Sequence, residues 1–303
     1  MKVRAAILLT LLAYVPAKAK AQDDLSSPRQ VFRGEIAAGS WLRIKSMQGD
    51  IQVRETSGNV AIVTAVRGKG SRPVDRVTFE VKRDGSNITI CAIYPETTRC
   101  DADSYDSRSR NNRDRQGADR QGTIDFTVAL PRGVRVWAGT GNGDVHVQNA
   151  GAEVNASSGN GEVSVLGANG RVSASTGNGD VEVREARGDV EVSSGNGDIK
   201  VGTTQGPVSA STGNGRIDVQ MNTLSGPGDM EFSTGNGSIN LTLPSNLSAD
   251  IVAHVALRNF ETDFPITLPG RFSGNRVEGK IGGGGRRIKM STGNGRVSLR
   301  KIG

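Results

Sequence analysis

Four acidic residues recur at one interval. Asp144, Glu162, Asp180 and Asp198 lie 18 residues apart, and Arg216 takes the next place in the series. If one turn of a repeating structure separates them, their carboxylates stack about 5 Å apart. Like charges that close repel, which raises pKa values or draws in a cation. A Ca²⁺-binding edge is therefore one expectation. The other is a row of splayed, solvated carboxylates, relieved by Arg171, Arg187 and Arg216. The Ca²⁺ roll repeat, Gly-Gly-x-Gly-x-Asp-x-apolar, sets its acid two places before the apolar residue. Here the acid stands three before the second Val of each unit, and Arg216, Ser238 and Arg296 replace it elsewhere. Obligatory calcium is not expected.

Other reactive residues are few. Cys91 and Cys100 are the two cysteines. In an exported chain this spacing suits a disulfide across a short loop; two free thiols are the other reading. Without a nearby His the pair makes a poor metal site. His146 and His254 are the only histidines, and neither lies in a serine-triad signature. Gly282–Gly285 with Arg286 and Arg287 lacks the Gly-Lys-Ser/Thr of a phosphate loop and reads as a flexible turn. Polysaccharide lyases and hydrolases built on parallel β-helices need one distinctive carboxylate or basic constellation in a cleft. The acids here recur as repeats, so no catalytic residue and no cofactor are expected.

The repeat dictates the architecture. Gly-Asn-Gly begins at 141, 159, 177, 195 and 213, then again at 235 and 293. A half-period lies inside it. Val145, Val154, Val163, Val172, Val181, Val190, Ile199, Val208 and Ile217 are nine apart, and a second Val or Ala follows each by two. Each unit is a short alternating strand plus a turn, with the Val pair on one face. Helix is excluded, since 22 of the 108 residues in 133–240 are Gly. So short a strand cannot bury its apolar face alone, but stacked identical coils can. The predicted fold is all-β: a parallel β-solenoid (β-helix) with 18-residue coils of two nine-residue halves. The right-handed preference of parallel crossovers sets its expected hand. Gly and Asn suit the tight corners. Asn142, Asn160, Asn178, Asn196, Asn214, Asn236 and Asn294 are the expected structural corners, and a stacked Asn column can form an amide ladder.

The rest of the chain is divided around this core. Residues 1–21 have a basic start, an apolar stretch from Ala5 to Val15, and small residues at Ala19 and Ala21, which is a signal-peptide layout. No Cys stands directly after that point to carry a lipid. Residues 22–132 form an N-terminal β region. It holds an early coil at Leu42, Ile44, Ile51 and Val53, which Val60 continues, and a hairpin around Asp84-Gly85. A polar stretch, 96–122, is expected to be a mobile insertion. Residues 133–240 are the regular solenoid. Residues 241–303 are C-terminal coils and a cap, with Phe260, Phe264 and Phe272 closing the open end. The formal charge of +7 includes four basic leader residues and no leader acid, leaving 34 basic and 31 acidic residues. So weak a balance, with 4% aromatics, does not point to nucleic acid. No apolar run is long enough to span a membrane after cleavage.

The runs Ser-Thr-Gly-Asn-Gly-Asp-Val-Glu-Val (175–183) and Gly-Asp-Val-Glu-Val-Ser-Ser-Gly-Asn-Gly-Asp-Ile (188–199) resemble the DUF4097 family, known for adhesin-like proteins. The segments from Leu243 to Pro265 and from Gly282 to Leu299 are similar to it as well, so the resemblance covers roughly 35–300. It implies an exported bacterial β-solenoid and supplies no catalytic residues. The functional expectation is a non-catalytic surface or envelope protein, periplasmic or extracellular. It binds a glycan or an envelope or surface protein through its repetitive faces. A periplasmic structural or stress-associated scaffold and a polysaccharide-active β-helix enzyme are the alternatives.

Overall fold

In a computed structural model the described residues are 25–69, 77–95, 97–107, 122–203, 205–268 and 274–302. The leader lies outside them. The N-terminal strands are β1 (Arg29–Glu35), β2 (Trp41–Gln48), β3 (Ile51–Thr56), β4 (Val60–Arg67), β5 (Thr78–Asp84), β6 (Asn87–Ile93), β7 (Thr97–Cys100), β8 (Tyr105–Ser107) and β9 (Ile124–Pro131). The regular coils are β10 (Arg135–Asn142), β11 (Val145–Ala150), β12 (Val154–Asn160), β13 (Val163–Ala168), β14 (Val172–Asn178), β15 (Val181–Ala186), β16 (Val190–Asn196), β17 (Ile199–Thr203), β18 (Val208–Asn214) and β19 (Ile217–Met221). The C-terminal strands are β20 (Met230–Asn236), β21 (Ile239–Leu243), β22 (Ala249–His254), β23 (Phe260–Thr262), β24 (Ile266–Thr267), β25 (Arg276–Ile281), β26 (Arg286–Asn294) and β27 (Val297–Lys301).

The chain is a β-solenoid of two long sheets. Successive coils pair in parallel and in register: Val136 on Val154, Val154 on Val172, Val172 on Val190, Val190 on Val208. The second sheet repeats this with Val145 on Val163, Val163 on Val181 and Val181 on Ile199. The paired apolar positions face inward and are essentially inaccessible, so the core is a stack of Val, Ile and Ala columns. β-branched side chains suit this pleated, half-buried surface.

The two ends depart from simple winding. β2 and β3 form the first coil, and β10 stacks on β2 through Leu42–Val136. The intervening chain therefore turns back to cover the other side of that coil: β6 pairs with β2 and β9 with β3. Val60 does not continue the coil. It opens β4, which runs antiparallel to both β1 and β9. A nine-residue step in sequence cannot distinguish a parallel coil from a strand that reverses, because both alternate with period two. The C-terminus uses the same device. β26 stacks on β20, and β22 stacks on β26, so the final coil β26–β27 is held between the body and its cap. Both chain-terminal coils are thus clamped from both sides.

Aromatic rings close the ends. At the N-terminal end Phe79 meets Phe126 edge to face, and Arg29 and Arg83 lie over Phe79 and Phe32. At the other end Phe264 is buried beneath Lys301, and Phe260 packs half-buried against the core. Phe272 lies outside the described residues. The polar stretch is not wholly without structure: β7 and β8 pair as a hairpin over 97–107, while 108–121 lie outside the described residues.

Candidate functional site

The seven predicted corner asparagines form one continuous ladder. Asn160 Nδ2 donates to Asn142 Oδ1 at 2.8 Å, and the same bond links Asn178, Asn196, Asn214, Asn236 and Asn294 in turn at 2.7–2.8 Å. Behind it, a buried hydroxyl column donates to the corner carbonyls: Ser158 to Gly143, Thr176 to Gly161, Ser194 to Gly179 and Thr212 to Gly197, at 2.7–3.0 Å. The glycines are half-buried, and the hydroxyls supply their carbonyls with donors from inside the stack. Replacing Asn178 with Ala removes two amide bonds and should cost about 1–2 kcal/mol of stability. Urea unfolding of the variant beside the parent measures it, and an unchanged midpoint would deny the ladder a stabilising role.

The acidic column is neither splayed nor gathered into a cage. Asp144 Oδ1 accepts the Glu162 N–H at 2.8 Å, Asp180 Oδ1 that of Asp198 and Asp198 Oδ1 that of Arg216, both at 2.7 Å. The pattern starts a coil earlier, where Asp50 Oδ1 accepts the Asp144 N–H and Asp125 Oδ1 the Asp50 N–H. The aspartates are thus turn caps that point along the stack, and Glu162 enters the series only through its backbone N–H. Partial burial pushes the Asp125 carboxyl above its ordinary range, against the bond from Asp50. Among the described residues no three His, Cys, Asp or Glu side chains converge on a point that could hold a metal ion. The two histidines lie in different sheets, His146 on β11 and His254 on β22.

Cys91 of β6 and Cys100 of β7 are joined by a disulfide. It holds the β7–β8 hairpin against the outer face of the sheet that carries β2. Tyr105 Oη donates to the Ala92 carbonyl at 2.6 Å, and burial pushes its phenol up to about 12. Tyr94 Oη donates to the Gln48 carbonyl at 2.9 Å. Asp101 accepts from Arg99 Nε and from the Ser104 N–H, which holds its carboxyl well below the usual range.

Beside this hairpin, which covers Lys45, lies a cluster that the repeat pattern does not single out. Leu42 and Ile44 face the core, so Trp41, Arg43 and Lys45 face outward; Val136 and Ala138 likewise turn Arg135 and Trp137 outward. Register sets Arg135 beside Trp41, Trp137 beside Arg43 and Gly139 beside Lys45. The Arg135 guanidinium lies 4.8 Å from the Trp41 ring centre and Arg43 5.5 Å from it. Lys45 Nζ lies 4.6 Å from the Trp137 ring centre. The Trp137 ring occupies the space above Gly139, where an added Cβ would come within 2.4 Å of it. Lys45 is only 2% exposed and donates to the Asp101 and Ala102 carbonyls at 2.8 and 2.9 Å. Burial lowers its pKa, with Asp101 opposing. One guanidinium nitrogen of Arg43 is buried without a hydrogen-bond partner. Both tryptophans of the chain are in this cluster.

The family model described as Toastrack DUF4097 matches residues 14–300. The chain belongs to that family. No curated protein matches it. Two solved structures are similar to this Toastrack chain. One is a candidate adhesin from Bacteroides fragilis, 13% identical, with 91% of this chain and 97% of that one covered at a TM-score of 0.44. The other is a candidate cell adhesion protein from Clostridium sporogenes, 10% identical, with 91% and 100% covered at a TM-score of 0.29. Its in-register parallel strands themselves make the chain a solenoid.

The opposite sheet of the Toastrack solenoid has a shallow groove of about 460 Å³ around Gly202, lined by Glu182, Lys200 and Asp218. Its acids are engaged: Arg184 Nε donates to Glu182 Oε1 at 2.7 Å and Asn240 Nδ2 to Asp218 Oδ1 at 2.6 Å. The tryptophan cluster escaped notice in sequence because 94 residues separate Leu42 from its stacking partner Val136. Parity was the available signal: each Trp falls between two core-facing positions.

Proposed function

We propose that the protein is a non-catalytic, exported, adhesin-like solenoid that binds a surface or envelope ligand through the outer face around Trp41 and Trp137. The observation that carries this reading is the clustering itself. A chain with two tryptophans places both on one outward face, flanked by Arg43, Lys45 and Arg135. Tryptophan and arginine are the residues most enriched where binding energy concentrates. Three of the four repeated acids, by contrast, serve backbone amides, which favours binding over catalysis. The leader pattern of residues 1–21 supports export, and no described helix is long and apolar enough to cross a membrane.

The test is position. With a C-terminal tag in the native host, protease treatment of intact cells should remove the tag, or the tag should appear in the medium. Protection in intact cells with release by osmotic shock would overturn the adhesin-like reading in favour of a periplasmic role.

A further inference from the structure

We propose that Asn169 is a spontaneous modification site, at which the folded chain converts an asparagine to aspartate and isoaspartate. The sequence holds eight Asn-Gly dipeptides: the seven ladder corners and Asn169-Gly170. All carry the same latent reaction. The backbone nitrogen of the glycine attacks the asparagine Cγ. A C–N bond forms, the side-chain amide leaves as ammonia with the proton of that nitrogen, and a five-membered imide results. Water then opens the ring at either carbonyl. One opening gives aspartate. The other gives isoaspartate, whose main chain runs through the former side chain. The balance is one water in and one ammonia out. Glycine is the most permissive follower, because it has no Cβ to crowd the attacking nitrogen.

The fold restrains these eight unequally. In six of them, from Asn142-Gly143 to Asn236-Gly237, the glycine N–H donates to the asparagine carbonyl of the next coil at 2.9 Å. Their side chains are tied into the ladder as well: Asn178 Nδ2 donates to Asn160 Oδ1, while its own Oδ1 accepts from Asn196. Cyclisation there must break the backbone bond and one or two amide bonds together. Asn294 ends the ladder. Its side chain still donates to Asn236 at 2.7 Å, but no described residue accepts the Gly295 N–H. Asn169 stands at the other turn of the coil, between β13 and β14, where no ladder runs. It is exposed, and among the described residues neither its side-chain amide nor the Gly170 N–H has a hydrogen-bond partner. The backbone on either side is fixed. The Asn169 N–H donates to the Ala150 carbonyl at 3.0 Å, and the Arg171 carbonyl accepts from the Val154 N–H at 2.9 Å. The two reacting groups are therefore the unrestrained part of an anchored turn.

The two products differ in their effect on the stack. Aspartate keeps the chain length and adds a charge one coil from Arg187, whose N–H donates to the Ala168 carbonyl at 2.9 Å. Isoaspartate adds a methylene to a turn held between Ala168, in register with Ala150 and Ala186, and Val172, in register with Val154 and Val190. The purified chain is aged in mildly alkaline buffer, folded and in parallel in urea, and its digests are mapped by fragment-ion mass spectrometry. In the folded chain Asn169 should convert at least tenfold faster than any of the six held corners, with Asn294 between them. In urea, where all eight have lost their bonds, the rates should fall within a few-fold of one another. Asn169→Gln should remove the first acidic species seen on isoelectric focusing, with circular dichroism unchanged. A folded-state rate at Asn169 no higher than at the held corners overturns the assignment. A spread of rates in urea as wide as in the folded chain also overturns it, because local sequence and not the fold then sets the order. Persistence of the first acidic species in Asn169→Gln overturns it too, because the reactive residue then lies elsewhere.

Discussion

Gly179→Ala should destabilise the protein by about 3 kcal/mol or more, whereas Gly202→Ala should leave it unchanged or raise its stability by about 0.4–1 kcal/mol. Gly179 is the second glycine of a corner, with φ at 148°. That region costs a residue with a side chain about 1–3 kcal/mol. Space opposes the substitution separately: an added Cβ at Gly179 would lie 2.2 Å from the Gly161 carbonyl oxygen of the preceding coil. That atom is fixed, because it accepts the buried Thr176 hydroxyl at 2.8 Å. A corner cannot open without pulling apart the hydrogen bond from the Gly179 N–H to the Asn196 carbonyl on its other side. Gly202 lies in a strand of the same stack, with a backbone outside the left-handed region and nothing within 4 Å of an added Cβ. Alanine there merely narrows the unfolded ensemble. Thermal and urea unfolding of both variants reads the contrast. Equal losses would mean that glycine content, and not corner geometry, governs the stack.

The corner rule was legible because it repeats. Gly-Asn-Gly with a preceding Ser or Thr announces both the turn and its spacing, and the in-register Val pairs give the coil. The caps were not legible in the same way. Nothing in Val60 or Ile124 tells a strand that continues the winding from one that reverses over it, because strand alternation carries no direction. In the sequence the acidic column shows only charge; in the fold its role is geometric. An Asp one place after a corner reaches the next amide along the stack, a relation between residues 18 apart that sequence spacing places together but does not orient. The tryptophan face depends on a contact across the whole N-terminal cap, and only the register of β2 on β10 assembles it.

Phe232→Ala should cost about 3–5 kcal/mol, the second large loss expected in this fold. Phe232 is fully buried in a column of smaller side chains: Ala156, Ala174, Val192 and Ala210 stack before it, and Met290 follows. The coil it belongs to is also the irregular one. Met230 enters four residues later than the 18-residue step predicts, after the turn that contains Pro227. The wider coil is filled by bulk, with Met221, Met230 and Met290 buried in the same core. Truncation there leaves a cavity that the rigid ladders on either side, Asn214 to Asn236 to Asn294, resist closing. Because each coil contacts mainly its neighbours, the loss should act locally. Hydrogen exchange is expected to quicken first in β20, β26 and the C-terminal cap, while the coils from β10 to β16 keep their protection. A uniform loss of protection along the whole stack would show that the solenoid unfolds as one cooperative unit, and that bulk at this coil does not partition it.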